Sequence, residues 1–267
     1  MIFSKIHGLG NDFIVINELK KETVKDKSDF AKKYCGRHLG IGADGVLFLC
    51  ASKKADFRMR IFNSDGSEAE NCVNGLRCVA LQKFLLDKKK KKSYSIETLA
   101  GIVKAKIVSF KGKAALVEIL FLGKKEFKGK NKITINGREF EYFFVDMGNP
   151  HAVVFLKQPV RDFSLEEIGH KFEYHPQFAP ARTNTEFVNI ISSLEAKMRV
   201  HERGACETMA CGSGSLAIAI AGTEAGFFEK NRWISIEQPG GKLEINIGKE
   251  VLLRGRAEIV FTGELGE

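Results

Sequence analysis

The chain has 267 residues, 44% hydrophobic and 28% charged, with a net charge of +9. That length and balance describe a soluble globular protein of one large or two ordinary domains, and no apolar run approaches the roughly 18 residues a membrane span needs. Lys5 and His7 interrupt the N-terminus before an apolar block develops, so no secretory signal is expected, and the default is a cytoplasmic protein with reduced thiols.

Residues 2–6 alternate and predict a strand. The glycine-rich turn His7-Gly8-Leu9-Gly10-Asn11-Asp12 leads to a second strand over 13–16. A helix is expected over about 28–37, then a loop with Gly40, Gly42 and Gly45 before a strand over 46–50. Phosphate loops use similar glycine spacing, but this segment follows a helix and opens a strand, the wrong context for a dinucleotide fingerprint. Residues 57–62 alternate as a strand, Asn63-Ser64-Asp65-Gly66-Ser67 is a turn, and a helix is expected from Leu76 to near Leu86. Lys88 to Lys92 is an unbroken run of five lysines between that helix and the next strand. It predicts a solvated loop rather than a nucleic-acid surface, because interleaved aromatics and a binding motif are missing. Strands over 94–99, 102–108 and 114–121 complete a sheet-rich first half.

A basic linker is expected over about 123–132. Asn136-Gly137, between strands over 133–135 and 139–144, is a two-residue hairpin signal. Met147-Gly148-Asn149-Pro150-His151 predicts a polar turn before a strand over 152–155, and Ser164-Leu165-Glu166-Glu167 resembles a capping box opening a short helix. Strands follow over 187–192, 198–202, 233–237, 243–247, 251–256 and 259–261, and the segment after Cys211 is the one large helix of this half. The fold class is α+β: strands outnumber helices, and one helix is buried in each half.

The two halves repeat. An offset of 139 residues lays Met59-Arg60 on Met198-Arg199, Glu68 on Glu207, Cys72 on Cys211, Gly75 on Gly214 and Ala80 on Ala219, six identities in twenty-two positions. Within one residue, the same offset lays Gly10-Asn11 on Gly148-Asn149. Each repeated cysteine falls at the start of a helix, where unpaired backbone N–H groups and the dipole favour an anion and can lower a thiol from its usual value of about 8.5. Small residues after each cysteine would let a ligand reach those N–H groups. The spacings Cys72 to Cys78 and Cys206 to Cys211 are not those of zinc sites, and no metal is expected.

A single activated cysteine would suggest covalent catalysis with a histidine such as His151 as base, but that chemistry does not need a matched second cysteine. Dithiol redox chemistry would use Cys-x-x-Cys, which is absent. Two thiols presented by equivalent halves across a cleft suit proton transfer at a carbon from either face, each cysteine alternating as general base and general acid. The helix N-termini would stabilise the developing charge on a substrate carboxylate.

The segments His7-Gly8-Leu9-Gly10-Asn11-Asp12-Phe13, Asn63-Ser64-Asp65-Gly66-Ser67, Gly148-Asn149-Pro150-His151, Glu202-Arg203-Gly204 and Cys211-Gly212-Ser213-Gly214 together resemble diaminopimelate epimerase over essentially the whole chain. The resemblance implies a cofactor-independent isomerase that interconverts LL- and meso-diaminopimelate for lysine and peptidoglycan synthesis, in the cytoplasm and as a homodimer. It implies two pseudo-symmetric sheet-rich domains, each wrapped on a central helix, over 1–117 with 258–267 and over 118–257. Cys72 and Cys211 would be the catalytic pair. Asn11, Asn63, Asn149 and Asn184 would hold substrate polar groups, Val73-Asn74 and Gly212-Ser213 would offer N–H groups to the α-carboxylate, Glu202 and Arg203 would grip the distal amino acid group, and His151 would stand beside the reacting centre. The small-molecule substrate is the one partner implied besides a second copy, with no nucleic acid or membrane. The chain departs from the family at Val73 and Cys206, where glycine is usual, and at Gly45, where some members carry a substrate-contacting glutamine. Racemases of proline or glutamate type on the same fold, and a non-catalytic binding protein, are the alternative readings.

Overall fold

The computed structural model describes residues 1–266. Within them the chain forms two compact units, Met1–Phe121 with Arg254–Glu267, and Leu122–Leu253. No helix among the described residues is long and apolar enough to cross a membrane.

The first unit runs β1 (Ile2–Gly8), β2 (Asn11–Glu18), α1 (Lys27–Cys35), β3 (Gly45–Cys50), β4 (Phe57–Asn63), β5 (Glu68–Ala69), α2 (Val73–Leu86), β6 (Ser93–Thr98), β7 (Gly101–Lys111) and β8 (Ala114–Phe121). β1 is antiparallel to β2, β2 parallel to β3, β3 antiparallel to β4, β4 parallel to β6, and β6 antiparallel to β7, which is antiparallel to β8. The C-terminal strand, Val251–Glu264, pairs with both β1 and β8 and closes the strands into a ring. α2 fills that ring. Leu76, Cys78, Val79, Ala80 and Leu81 are all buried, so no polar stripe remains, as expected of a helix surrounded by strands.

The second unit runs β9 (Glu126–Ile135), β10 (Arg138–Asp146), β11 (Pro150–Phe155), α3 (Leu165–Glu173), β12 (Asn184–Ser192), β13 (Glu195–Glu202), β14 (Cys206–Glu207), α4 (Gly212–Glu224), β15 (Trp233–Gln238) and β16 (Gly241–Ile247). From β10 through β11, β12, β13 and β15 to β16 the pairings alternate antiparallel and parallel as they do from β1 to β7. α4 is the buried helix here, packed on β9 to β12 and β16. The repeat is therefore architectural as well as sequential. β2 and β11, β3 and β12, and α2 and α4 each begin 139 residues apart, at Asn11 and Pro150, Gly45 and Asn184, and Val73 and Gly212.

The repeated arginine and glutamate explain themselves in this frame. Arg60 grips Glu68 through Nε at 2.7 Å and Nη2 at 2.8 Å, and Arg199 grips Glu207 through the same atoms at 2.6 and 2.7 Å. Each fork ties a long strand, β4 or β13, to the two-residue strand that leads the chain into the cysteine, and bidentate geometry makes these pairs more than screened surface contacts.

Several expectations are corrected. The basic stretch around 123–132 is not a linker but mostly β9. Its Ile133 and Ile135 are buried, while Lys128, Lys130 and Lys132 point outward and pair with Glu126, Glu141 and Glu139. The apparent capping box is not made: Ser164 is the N-cap of α3, but its side chain accepts no N–H there. The two expected strands over 251–256 and 259–261 are one, continuous across a register shift opposite Lys5 and Ile6. The first helix begins at Lys27, because the Asp26 carboxylate accepts the Asp29 N–H at 2.9 Å. Asn136 and Gly137 do take the left-handed conformation of a tight hairpin, with φ of 53° and 74°.

Buried thiols set an alkaline limit on stability. Burial pushes Cys35 and Cys50 up to about 11, and Cys78 and Cys211 further. A raised thiol favours the folded state fully below the unfolded value of about 8.5–9, and the contribution is lost as pH rises from there through the folded values. The thermal midpoint, followed by scanning fluorimetry, is expected to fall between pH 8 and 10.5. Cys78→Val should lose less over that interval than the wild type.

Candidate active site

Cys72 is itself the N-cap of α2. Its backbone is extended (φ −151°, ψ 112°), and Sγ accepts the Gly75 N–H at 3.3 Å. The helix therefore begins at Val73, one turn earlier than the apolar pattern suggests. The thiol lies 3.9 Å from Asn11 Oδ1, which also accepts Asn74 Nδ2 at 3.1 Å. The other end of the Asn11 amide donates to Asp44 Oδ2 at 2.8 Å. Arg37 holds Asp44 and Asp12 together, and Lys5 lies 2.6 Å from Asp12. The Asn11 amide is thus fixed at both ends. Asn63, at the exposed end of β4, donates to Ser67 Oγ at 3.0 Å. Val73 occupies the first helical position and is half-buried. Gly45 is required by its neighbours: a Cβ there would stand 2.7 Å from the Phe62 carbonyl oxygen, so no glutamine fits without moving backbone.

Behind Asn74 lies Arg77, which is fully buried. Its Nη2 donates to Asn74 Oδ1 at 2.7 Å, Nη1 reaches the Val73 carbonyl at 3.4 Å, and Nε has no partner. Burial pulls the guanidinium down to about 10, so it remains a cation at neutral pH. Among the described residues, none of its hydrogen bonds or ion pairs is to a carboxylate, which is unusual for a buried arginine. Sequence reading passed over it because it sits in an apolar helix and looks like a snorkelling surface residue.

Cys211 repeats the geometry in the second unit. It caps α4 with φ −115° and ψ 110°, and Sγ accepts the Gly214 N–H at 3.3 Å. Its N–H donates to Gln238 Oε1 at 2.9 Å, and Ser213 Oγ lies 3.5 Å from the sulfur. The surroundings differ in charge. Glu202, at the end of β13, accepts a hydrogen bond from Thr208, and its carboxylate and that of Glu186 both act on the Cys211 thiol. Burial and then these two carboxylates push the Cys211 thiol well up, overriding the helix start that was expected to lower it. Burial likewise raises Glu202.

The other expected residues of this unit fall into place around it. His151 is fully buried in β11 rather than in a polar turn. Its Nδ1 lies 2.6 Å from Glu186 Oε1 and its Nε2 3.3 Å from Asn149 Oδ1. Asn184 spends both ends of its amide on the protein, donating to the Pro150 carbonyl at 3.0 Å and accepting the Arg203 N–H at 3.0 Å. Glu202 and Arg203 diverge: Arg203 is exposed and donates to the Ala181 carbonyl at 2.7 Å. The buried Glu173 steadies this turn by accepting from Gly204 N, Arg182 and His201. Cys206 adopts φ 58°, which accounts for the glycine usual there. Cys206→Gly is expected to raise stability by about 0.5–1 kcal/mol in urea unfolding by relieving the left-handed backbone. Glu186 had no sequence signal beyond a charge beside an apolar strand.

The two thiols share one capping geometry in different surroundings, one near a buried cation and one beside carboxylates. The comparisons of sequence with known proteins agree on the family. The sequence profile described as diaminopimelate epimerase matches residues 3–120 and 143–263. Diaminopimelate epimerase of Carboxydothermus hydrogenoformans is 43% identical, covering 99% of both chains, and that of Methanococcus maripaludis 40%, also covering 99% of both. A Bacillus anthracis phenazine biosynthesis protein of the PhzF family superposes with a TM-score of 0.76 at 17% identity, covering 100% of this chain and 99% of its own. A hydroxyproline epimerase from Agrobacterium vitis superposes at 0.71 and 16% identity, covering 98% and 91%. These two likenesses support the sheet-rich fold. Matched by the family profile in both repeats and about two-fifths identical to its members from end to end, the chain belongs to the diaminopimelate epimerase family.

Proposed function

We propose that the protein is a cofactor-independent epimerase that interconverts LL- and meso-diaminopimelate by two-base proton transfer at the α-carbon. The observation that carries the mechanism is the duplicated cap: each of Cys72 and Cys211 stands before a buried helix and takes the N–H of the glycine three residues on. One thiolate removes the α-proton and becomes a thiol. The other thiol delivers its proton to the opposite face and becomes a thiolate, so the charge is conserved and the configuration inverts. The raised Cys211 thiol favours that residue as the proton donor in the ligand-free protein, with Cys72 as the base.

First-turn N–H groups at Val73 and Asn74, and at Gly212 and Ser213, would receive the α-carboxylate and stabilise the carbanion-like transition state. Asn11, Asn63 and Asn149 would present amides to the substrate. Asn184 would act by holding the Arg203 turn, and Glu202 and Arg203 would meet the distal amino acid group. The protein would work in the cytoplasm as a homodimer and supply lysine and peptidoglycan synthesis. Incubating pure LL-diaminopimelate with reduced enzyme, without added cofactor, should yield the meso isomer on chiral chromatography. Folded, reduced enzyme that leaves the LL isomer unchanged would refute the substrate assignment.

A further inference from the structure

The repeat contains an internal control for one side chain. At the 139-residue offset, Leu47 on β3 corresponds to Glu186 on β12. Both pack behind the glycine whose N–H binds the cysteine: Leu47 Cδ2 lies 3.1 Å from the place of a Gly75 Cβ, and Glu186 Oε1 lies 2.7 Å from that of a Gly214 Cβ. A leucine therefore satisfies this position in the first unit. In the second, a fully buried carboxylate takes it, with Oε2 unpartnered. An apolar group of similar size would spare that oxygen its desolvation. Packing does not account for the acid.

Its contacts do. Oε1 lies 2.6 Å from His151 Nδ1, and His151 Nε2 lies 3.3 Å from Asn149 Oδ1. A carboxylate oxygen only accepts, so the first contact places a proton on Nδ1 and leaves Nε2 a bare acceptor, which pairs with Asn149 when the amide presents its Nδ2 donor there and turns Oδ1 away. Both the acid and the imidazole are fully buried and cannot swing to water, whereas Asn149 is half-buried at the turn before β11. We propose that Glu186 is a positioning residue that, through His151, fixes the orientation in which the Asn149 amide meets the substrate. This rests on the reading of Asn149 as a substrate contact.

Long-range proton–nitrogen NMR of uniformly labelled wild-type protein, with His151 assigned by the loss of its signal in His151→Gln, should show Nδ1 protonated. A bare Nδ1 in the wild type would overturn the proposal whatever any variant does. Glu186→Leu, which installs the residue of the other repeat, should release the tautomer and raise KM for diaminopimelate about tenfold. Glu186→Gln keeps an acceptor oxygen for Nδ1 and should restore both. Glu186→Leu combined with Asn149→Ala should be no worse than Asn149→Ala alone, since the two act in one chain. Additive losses, or an unchanged tautomer and KM in Glu186→Leu, would overturn it. Failure of the wild type to epimerise diaminopimelate would instead refute the functional reading, and the NMR result would still judge the link from Glu186 to His151.

Discussion

Cys72→Ala and Cys211→Ala are each expected to lower kcat/KM for epimerisation by about 10²–10⁴-fold, since each removes one of two proton-transfer groups. The double variant should be little worse than either single one, because the thiols act as a unit. Little of the loss can come from unfolding. Both cysteines occupy caps whose sulfur contributes one N–H···S contact, at 3.3 Å in each case. Thermal midpoints should accordingly stay within a few degrees of wild type. Serine in place of either cysteine would preserve the cap but not the proton affinity, so activity should remain low. A Cys211→Ala enzyme of undiminished rate would remove the second base from the mechanism.

The other large effect is expected at Arg77. Arg77→Met exchanges a desolvated cation without a carboxylate partner for an apolar chain of similar length, which favours the variant. It also removes the Arg77 donor to Asn74 Oδ1 at 2.7 Å, a charge-assisted hydrogen bond whose loss costs about 1–3 kcal/mol. The two nearly cancel, so the urea midpoint should move little. Activity should not survive as well. Without Arg77, the chain from Asn74 to Asn11 loses its anchor, and misplaced polar groups of this kind cost about 10²-fold in rate. An Arg77→Met enzyme with native stability and full activity would show that the buried charge is incidental.

Much of this was legible beforehand because the chain carries its own comparison. Gly75 and Gly214 persist because each lends its N–H to a sulfur where a side chain would collide, with Leu47 in one unit and Glu186 in the other. Arg60 with Glu68 and Arg199 with Glu207 persist because each pair fastens the chain ahead of the cysteine. The strands followed from alternation, which needs no knowledge of partners. What was not legible depends on partners distant in sequence. The lysines of β9 read as a linker, because only the pairing with β10 shows that they share the solvent face of a ribbon. His151 read as part of a turn until Asn184 paired with it across parallel strands. The direction of the Cys211 shift could not be foreseen either. The helix start is local, but the opposing carboxylates come from β12 and β13.

The most direct test of the two-thiol account is proton NMR of LL-diaminopimelate in D2O with the wild-type enzyme and the two cysteine variants, reduced and without cofactor. The account predicts that in the wild type the α-proton signal of the reacting centre disappears as the meso isomer grows, with solvent deuterium at the inverted carbon, and that neither variant forms meso product at a comparable rate. Meso product retaining the original α-proton, or formed undiminished by Cys72→Ala, would contradict it.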